Sequence, residues 1–321
     1  MTGAPAGNGG LAAGLRHAVS AALWLATFKL LADHGWRLIP LSLAGKLSMQ
    51  AYLTLVMLVT TAVGLGASWL LLRDPPAELG LRRPRPGALA WTALLALPAY
   101  VAASYLAIYV ALPTLLEELT RSGRQVVQQQ TGEFGRTLVQ APLPTLLLWA
   151  VVVTPVAEEL LFRGAWWSLF ARAGRALARR DAAPSSEALP SGVLEPSLVL
   201  KVAASARRWF AEGGLATLAS ALVFAAMHAG MPGGLGIVRV VAAFGLGLAT
   251  GVARHATGGL AAPILLHVLY NFVSLGTTRR WWVSETFPMK LGVPTLATAA
   301  AGGSLLLAVA LWLVLRRRSA R

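Results

Sequence analysis

The chain has 321 residues, of which 56% are hydrophobic and 13% charged, with a mean hydropathy of +0.63; charged residues make up roughly a quarter of an ordinary globular domain, so this composition argues against a water-soluble protein. Its 28 Lys and Arg against 13 Asp and Glu give a formal charge of +15, but the basic residues flank apolar runs, as in membrane proteins, and form no separate basic domain that would suit nucleic acid. The absence of cysteine removes disulfides, thiolate catalysis and cysteine-ligated zinc together, so any metal would need His and carboxylate ligands.

A helix that crosses a bilayer needs about 20 mostly apolar residues, because hydrocarbon offers its backbone no hydrogen-bond partner. Runs of this kind lie near 18–39, 47–72, 88–116, 143–170, 215–232, 236–255, 259–277 and 293–315. The sequence therefore predicts an all-α, polytopic transmembrane helical bundle of about eight spans. The first run is interrupted by Lys29, Asp33, His34 and Arg37 and reads as a tilted or partly interfacial span, without which seven remain. The stretch before it reads as a lead into this span and not as a cleaved signal peptide.

Three regions follow: N-terminal transmembrane helices at 1–142, a core at 143–277 with an insertion near 171–214, and a C-terminal helix with a basic tail at 278–321. The insertion is rich in Pro, Ser and Ala between Asp181 and Pro196 and reads as a flexible cytoplasmic segment. Arginines at 73, 82, 83 and 85, at 172, 175, 179 and 180, and at 316, 317, 318 and 321 place both termini in the cytoplasm by the positive-inside rule. The stretch 117–140 then reads as a translocated loop, while Arg279, Arg280 and Lys290 fall on the opposite side to the rule. Trp166, Trp167, Trp281 and Trp282 suit the headgroup region, and Gly247-x-x-x-Gly251 predicts close helix packing. The Ala/Gly/Arg bias points to a bacterial genome, hence to a bacterial cytoplasmic membrane.

Ionisable side chains at bilayer depth are costly and face a protein interior or a water-filled cavity. The fourth run contains Thr154-Pro155-Val156-Ala157-Glu158-Glu159-Leu160-Leu161-Phe162-Arg163. On a helix Glu159 and Arg163 are i,i+4 neighbours that can pair, while Glu158 points about 100° away and keeps its carboxylate free. Pro155 removes a helical hydrogen bond just before the two glutamates, which predicts a bend there. A satisfied ion cluster at the end of a shorter helix is the competing structural reading.

The fifth run carries Phe224-x-x-x-His228 and the seventh His267-x-x-x-Asn271, each pair sharing one helix face. Asn271 could fix the tautomer of His267 or donate to an oxyanion itself. Either motif alone is equally well explained by packing or an interhelical clamp. Glu158, His228 and His267 all lie well inside their runs, however, so three helices can bring polar groups to a similar depth. His17, His34 and His255 sit at run ends and read as structural or interfacial.

The ordered set Glu158-Glu159-x-x-x-Arg163, Phe224-x-x-x-His228 and His267-x-x-x-Asn271 resembles the motifs of the CAAX-protease and bacteriocin-processing family, which includes the type II CAAX prenyl endoproteases. The resemblance covers roughly residues 143–277, and Leu79-Gly80-Leu81-Arg82-Arg83-Pro84 is similar to a segment that often precedes that core. It implies an intramembrane endopeptidase acting on membrane-associated peptides or protein tails. In such an enzyme Glu158 and His228 activate a water, His267 and Asn271 stabilise the oxyanion, and Glu159, Arg163 and Phe224 support the site. The resemblance favours chemistry with no cofactor, although Glu158, His228 and His267 could ligate Zn²⁺. The expected partners are membrane lipid and a peptide or protein-tail substrate, with no nucleic acid and the oligomeric state open. A non-catalytic scaffold or a proton-coupled small-solute transporter using the same polar residues is the alternative.

Overall fold

The computed structural model describes residues 8–39, 47–181, 209–230, 233–279, 281 and 301–309. Helices dominate, and there is no strand among the described residues. The N-terminal helix α1 (Asn8–His34) ends in a 3-10 turn, Gly35–Leu38. Helix α2 (Met49–Leu71) starts where the Ser48 side chain accepts from Ala51 N–H, satisfying one of the amides a helix start leaves open. The short α3 (Pro75–Leu79) is capped by Asp74, begins with proline and stops at Gly80, whose φ of 80° is the left-handed conformation that glycine adopts at least cost.

Helix α4 (Pro86–Gln140) runs for 55 residues through Pro98 and Pro113. The expected loop at 117–140 is thus the continuation of a helix. No proline interrupts the chain between Pro113 and Pro142, and this stretch is rich in Glu, Gln, Arg and Leu, which lose little freedom on entering a helix.

The next helix, α5, is one run of five pieces: α-helical Leu143–Leu146, π-helical Leu147–Val153, α-helical Thr154–Glu159, π-helical Leu160–Trp166 and α-helical Trp167–Asp181. Pro155 produces no break in it. Two widened turns flank the glutamates, and the residues bounding them keep right-handed helical dihedrals. The helix continues to Asp181, so the start of the predicted 171–214 insertion is helical; residues 182–208 lie outside those described.

A π turn at Phe210–Gly214 precedes α6 (Leu215–Ala226), followed by α7 (Gly233–Thr257) and α8 (Ala261–Thr278). Residues 301–309 are also helical.

By length and composition, five helices can cross a membrane among the described residues: Met49–Leu71, Pro86–Glu118, Leu143–Ala178, Gly236–Thr257 and Ala261–Thr278. Three of the eight expected runs are not among these five. Helix α1 carries Lys29 and Asp33, α6 has 12 residues, and the last run is described only over 301–309. The chain is an all-α polytopic helical protein.

Helix α7 packs against α4, α6 and α8. Its contact with α6 is through Gly247 and Gly251, as the sequence predicted. A Cβ on Gly247 would lie 3.0 Å from Ala221 Cα, and one on Gly251 would lie 2.8 Å from Thr217 Cγ2, so only glycine permits this approach. The segment after α3 is tied to the same core, since Gly80 O accepts from Leu260 N–H at 2.9 Å and Leu79 is fully buried. Trp167 lies under the Arg254 guanidinium at 4.8 Å; Trp281 is exposed beside Phe272, and Trp282 lies outside the described residues.

Candidate active site

Helix α5 supplies two carboxylates one residue apart, and the helical rotation between them gives each a different environment. Glu159 is fully buried and lies 3.3 Å from Arg163 Nε, also fully buried, one turn along the same face. The sequence expected this pair. Its alignment is poor for hydrogen bonding, and Glu159 Oε2 and Arg163 Nε have no hydrogen-bond partner. The guanidinium is fixed in other ways: Nη2 donates to Gly247 O at 3.0 Å, and its carbon lies 4.7 Å from the centre of the Phe224 ring. The glycine that permits the α6–α7 approach thus also accepts from the buried arginine.

The other oxygen of Glu159 has a partner the sequence did not reveal. Its Oε1 accepts from Nδ1 of His267, on α8, at 2.8 Å. This bond fixes the imidazole with Nδ1–H toward Glu159 and Nε2 toward Glu158, whose Oε2 is 3.7 Å away. Glu158 retains 14% side-chain exposure where Glu159 has none. One glutamate is therefore an anchored acceptor, and the other is left beside an imidazole nitrogen without a direct hydrogen bond to it.

His228 follows the end of α6, its Nδ1 donating to Phe224 O at 2.8 Å. The Phe224 ring, almost fully buried, lies between the histidines, 4.6 Å from the His228 ring and edge-on to His267 at 5.8 Å. The charge of Glu158 acts on His228 and also on Arg239, an exposed residue of α7.

Asn271 does not set the tautomer of His267, whose Nδ1 is bonded to Glu159 instead. Asn271 Nδ2 donates to the backbone carbonyl of Ala150, in the first π segment of α5, at 2.8 Å. The structure thus gathers Glu158, Glu159, Arg163, Phe224, His228 and His267 on three helices, with Asn271 bonded to the α5 backbone nearby.

Two arginines of this neighbourhood escaped sequence analysis. Arg239 is one. Arg254 is the other: it donates through Nε to Arg163 O at 3.0 Å and sits where a side chain on Gly80 would otherwise lie. Each is an ionisable residue within an apolar run, the same signal that singled out the glutamates, but neither has a second motif residue one turn away.

Zinc fits this arrangement poorly. Among the described residues no three His, Asp or Glu side chains form a group that could hold a metal ion.

Residues 140–273 match the family model described as Type II CAAX prenyl endopeptidase Rce1-like. The match starts at the junction of α4 and α5 and ends within α8, so it contains every residue of the cluster described above. No curated protein and no solved structure matches the chain. Over residues 140–273 the chain is thus similar to the type II CAAX prenyl endopeptidase Rce1-like family, a family of membrane proteases.

Proposed function

We propose that the protein is an intramembrane endopeptidase that hydrolyses peptide bonds of membrane-associated peptides or protein tails without a cofactor. The observation that carries this reading is the chain of contacts Arg163–Glu159–His267–Glu158, which holds one imidazole between two carboxylates in a largely buried site.

In this reading Glu158, with His228, takes a proton from a water, and the resulting hydroxide attacks the peptide carbonyl carbon. His267 Nε2 and Asn271 Nδ2 donate to the oxyanion; the abstracted proton then passes to the leaving amine as the C–N bond breaks. Because Glu159 accepts the Nδ1 proton, His267 can donate from Nε2 only as an imidazolium. Glu159 and the oxyanion, which takes over the charge Glu158 gives up on accepting the proton, balance that charge and the charge of Arg163.

The same reading places the protein in a bacterial cytoplasmic membrane with both termini in the cytoplasm. Its partners are lipid and the substrate tail.

The test compares the protein termini of membranes and medium from cells carrying wild type or Glu158→Gln, and repeats any cleavage with purified protein. New termini that depend on Glu158 support the proposal and name the substrate. Equal termini in both assays would instead favour a scaffold or transporter. Activity that survives rigorous chelation supports the cofactor-free mechanism, and zinc-restored activity overturns it.

A further inference from the structure

Asn271 is held by a carbonyl that a helix does not ordinarily leave available. Through Leu147–Val153 the chain is π-helical, and Thr154 N–H closes this stretch by donating to Trp149 O, five residues back. The next carbonyl in that register, Ala150 O, would take its proton from residue 155. Residue 155 is proline and has no N–H. Thr154 N–H is already committed to Trp149, so the carbonyl has no backbone donor in either the π or the α register. A carbonyl without a donor in a membrane-spanning helix is costly unless another group reaches it. Asn271 Nδ2, 121 residues further along the chain, donates to it at 2.8 Å.

We infer that Pro155 is a positioning residue: by removing one backbone donor it opens a docking point on α5 that fixes the Asn271 side chain beside the catalytic cluster. Helix α8 is then pinned to α5 by two residues one turn apart on α8, His267 on Glu159 and Asn271 on Ala150 O. The amide nitrogen of Asn271 has two protons; Ala150 O takes one, and the other has a fixed direction. A pinned amide can act as a preorganised donor, whereas a freely rotating one would have to be ordered at each turnover. Without Pro155 the backbone itself can supply the missing proton, and the docking point closes. This inference rests on the proposed peptidase reading only for its catalytic consequence; the clamp itself can be tested without activity.

The chain contains two asparagines, Asn8 and Asn271, so selective ¹⁵N-asparagine labelling yields two side-chain amide signals, and Asn271→Ala identifies one of them. In wild type we expect one Asn271 amide proton to be protected from exchange with solvent, and in Pro155→Ala we expect the signal to move and lose protection. In turnover, kcat should fall about 100-fold with KM almost unchanged, the scale of a misplacement of ~1 Å near the chemistry. Pro155→Ala should then add no further loss in an Asn271→Ala background, because both changes remove one interaction. An unprotected wild-type signal, a signal unmoved by Pro155→Ala, or fully additive losses would overturn the inference. Should wild type cleave nothing, the peptidase reading fails, while the amide signals still decide the clamp.

Discussion

Glu159 Oε1 accepts the Nδ1 proton of His267 at 2.8 Å across 108 residues of chain, while its other oxygen lies against Arg163. The second of the adjacent glutamates therefore connects a buried cation to a histidine, and the first stays partly accessible. This division separates two consequences that substitution can measure.

Glu159→Gln should impair both chemistry and folding, unlike Glu158→Gln. The amide carbonyl can still accept from Nδ1, but the charge that stabilises an imidazolium is gone, and Arg163 loses its counter-charge. We expect kcat to fall by about 10²–10⁴, the range seen when an orienting carboxylate or a general acid–base group is neutralised. Thermal unfolding in detergent should shift downward for Glu159→Gln and remain near wild type for Glu158→Gln. Equal stability of the two variants would contradict the division of roles.

Arg163→Ala alone should cost about 3–5 kcal/mol of stability, the usual penalty for leaving one member of a buried ion pair uncompensated. Replacing both members with apolar residues of similar size, Glu159→Leu with Arg163→Met, should recover most of that loss, because a buried pair contributes little beyond its own desolvation. The double variant should remain inactive, since His267 has no orienting acceptor. Denaturant titration and turnover of the three proteins give the comparison.

Gly247→Ala brings a methyl group to 3.0 Å from the Ala221 backbone and 3.2 Å from Arg163 Nη2. Overpacking of this kind costs about 1–3 kcal/mol. Because Gly247 O also accepts from Arg163, kcat should fall more than in a packing variant at Gly251, where the added group meets Thr217 and not the arginine. Equal loss of activity at the two positions would show that the contact between α6 and α7 matters only for packing.

His17 should make stability depend on pH. It lies outside the five membrane-spanning helices and is buried, with Nδ1 on Ala13 O, Arg172 Nε at 3.1 Å from Nε2 and Glu78 Oε2 at 2.5 Å from Nε2. Burial, with the charges of Arg172 and Arg16, holds its imidazole below the ordinary value of 6.5, outweighing the Ala13 hydrogen bond and Glu78. The unfolded chain then binds the proton more readily than the folded one. Stability should be fully present above pH 6.5 and decline as pH falls from there through the lowered value. Melting temperatures of wild type and His17→Leu, measured between pH 7.5 and pH 5, should converge or cross on acidification by about the amount that His17 contributes. A wild type that gains stability relative to the variant at low pH would reverse the assigned direction.

The sequence by itself determined the solvent, the helical class and the identity of the polar cluster. Apolar runs of about 20 residues have few conformations open to them in hydrocarbon, and ionisable residues inside them stand out against that background. It also determined the pairing of Glu159 with Arg163 and the glycine contact of α7, because both depend on spacing within one helix. Helix ends were less well determined, as the extension of α4 through 117–140 and of α5 to Asp181 shows, since polar residues can continue a helix beyond the lipid. Tertiary structure alone decided which glutamate meets His267, that Asn271 reaches Ala150 O, and that Arg254 joins Arg163 O to Gly80. Each of these depends on how two or more helices are rotated and shifted against one another. No periodicity within a single helix encodes that relation.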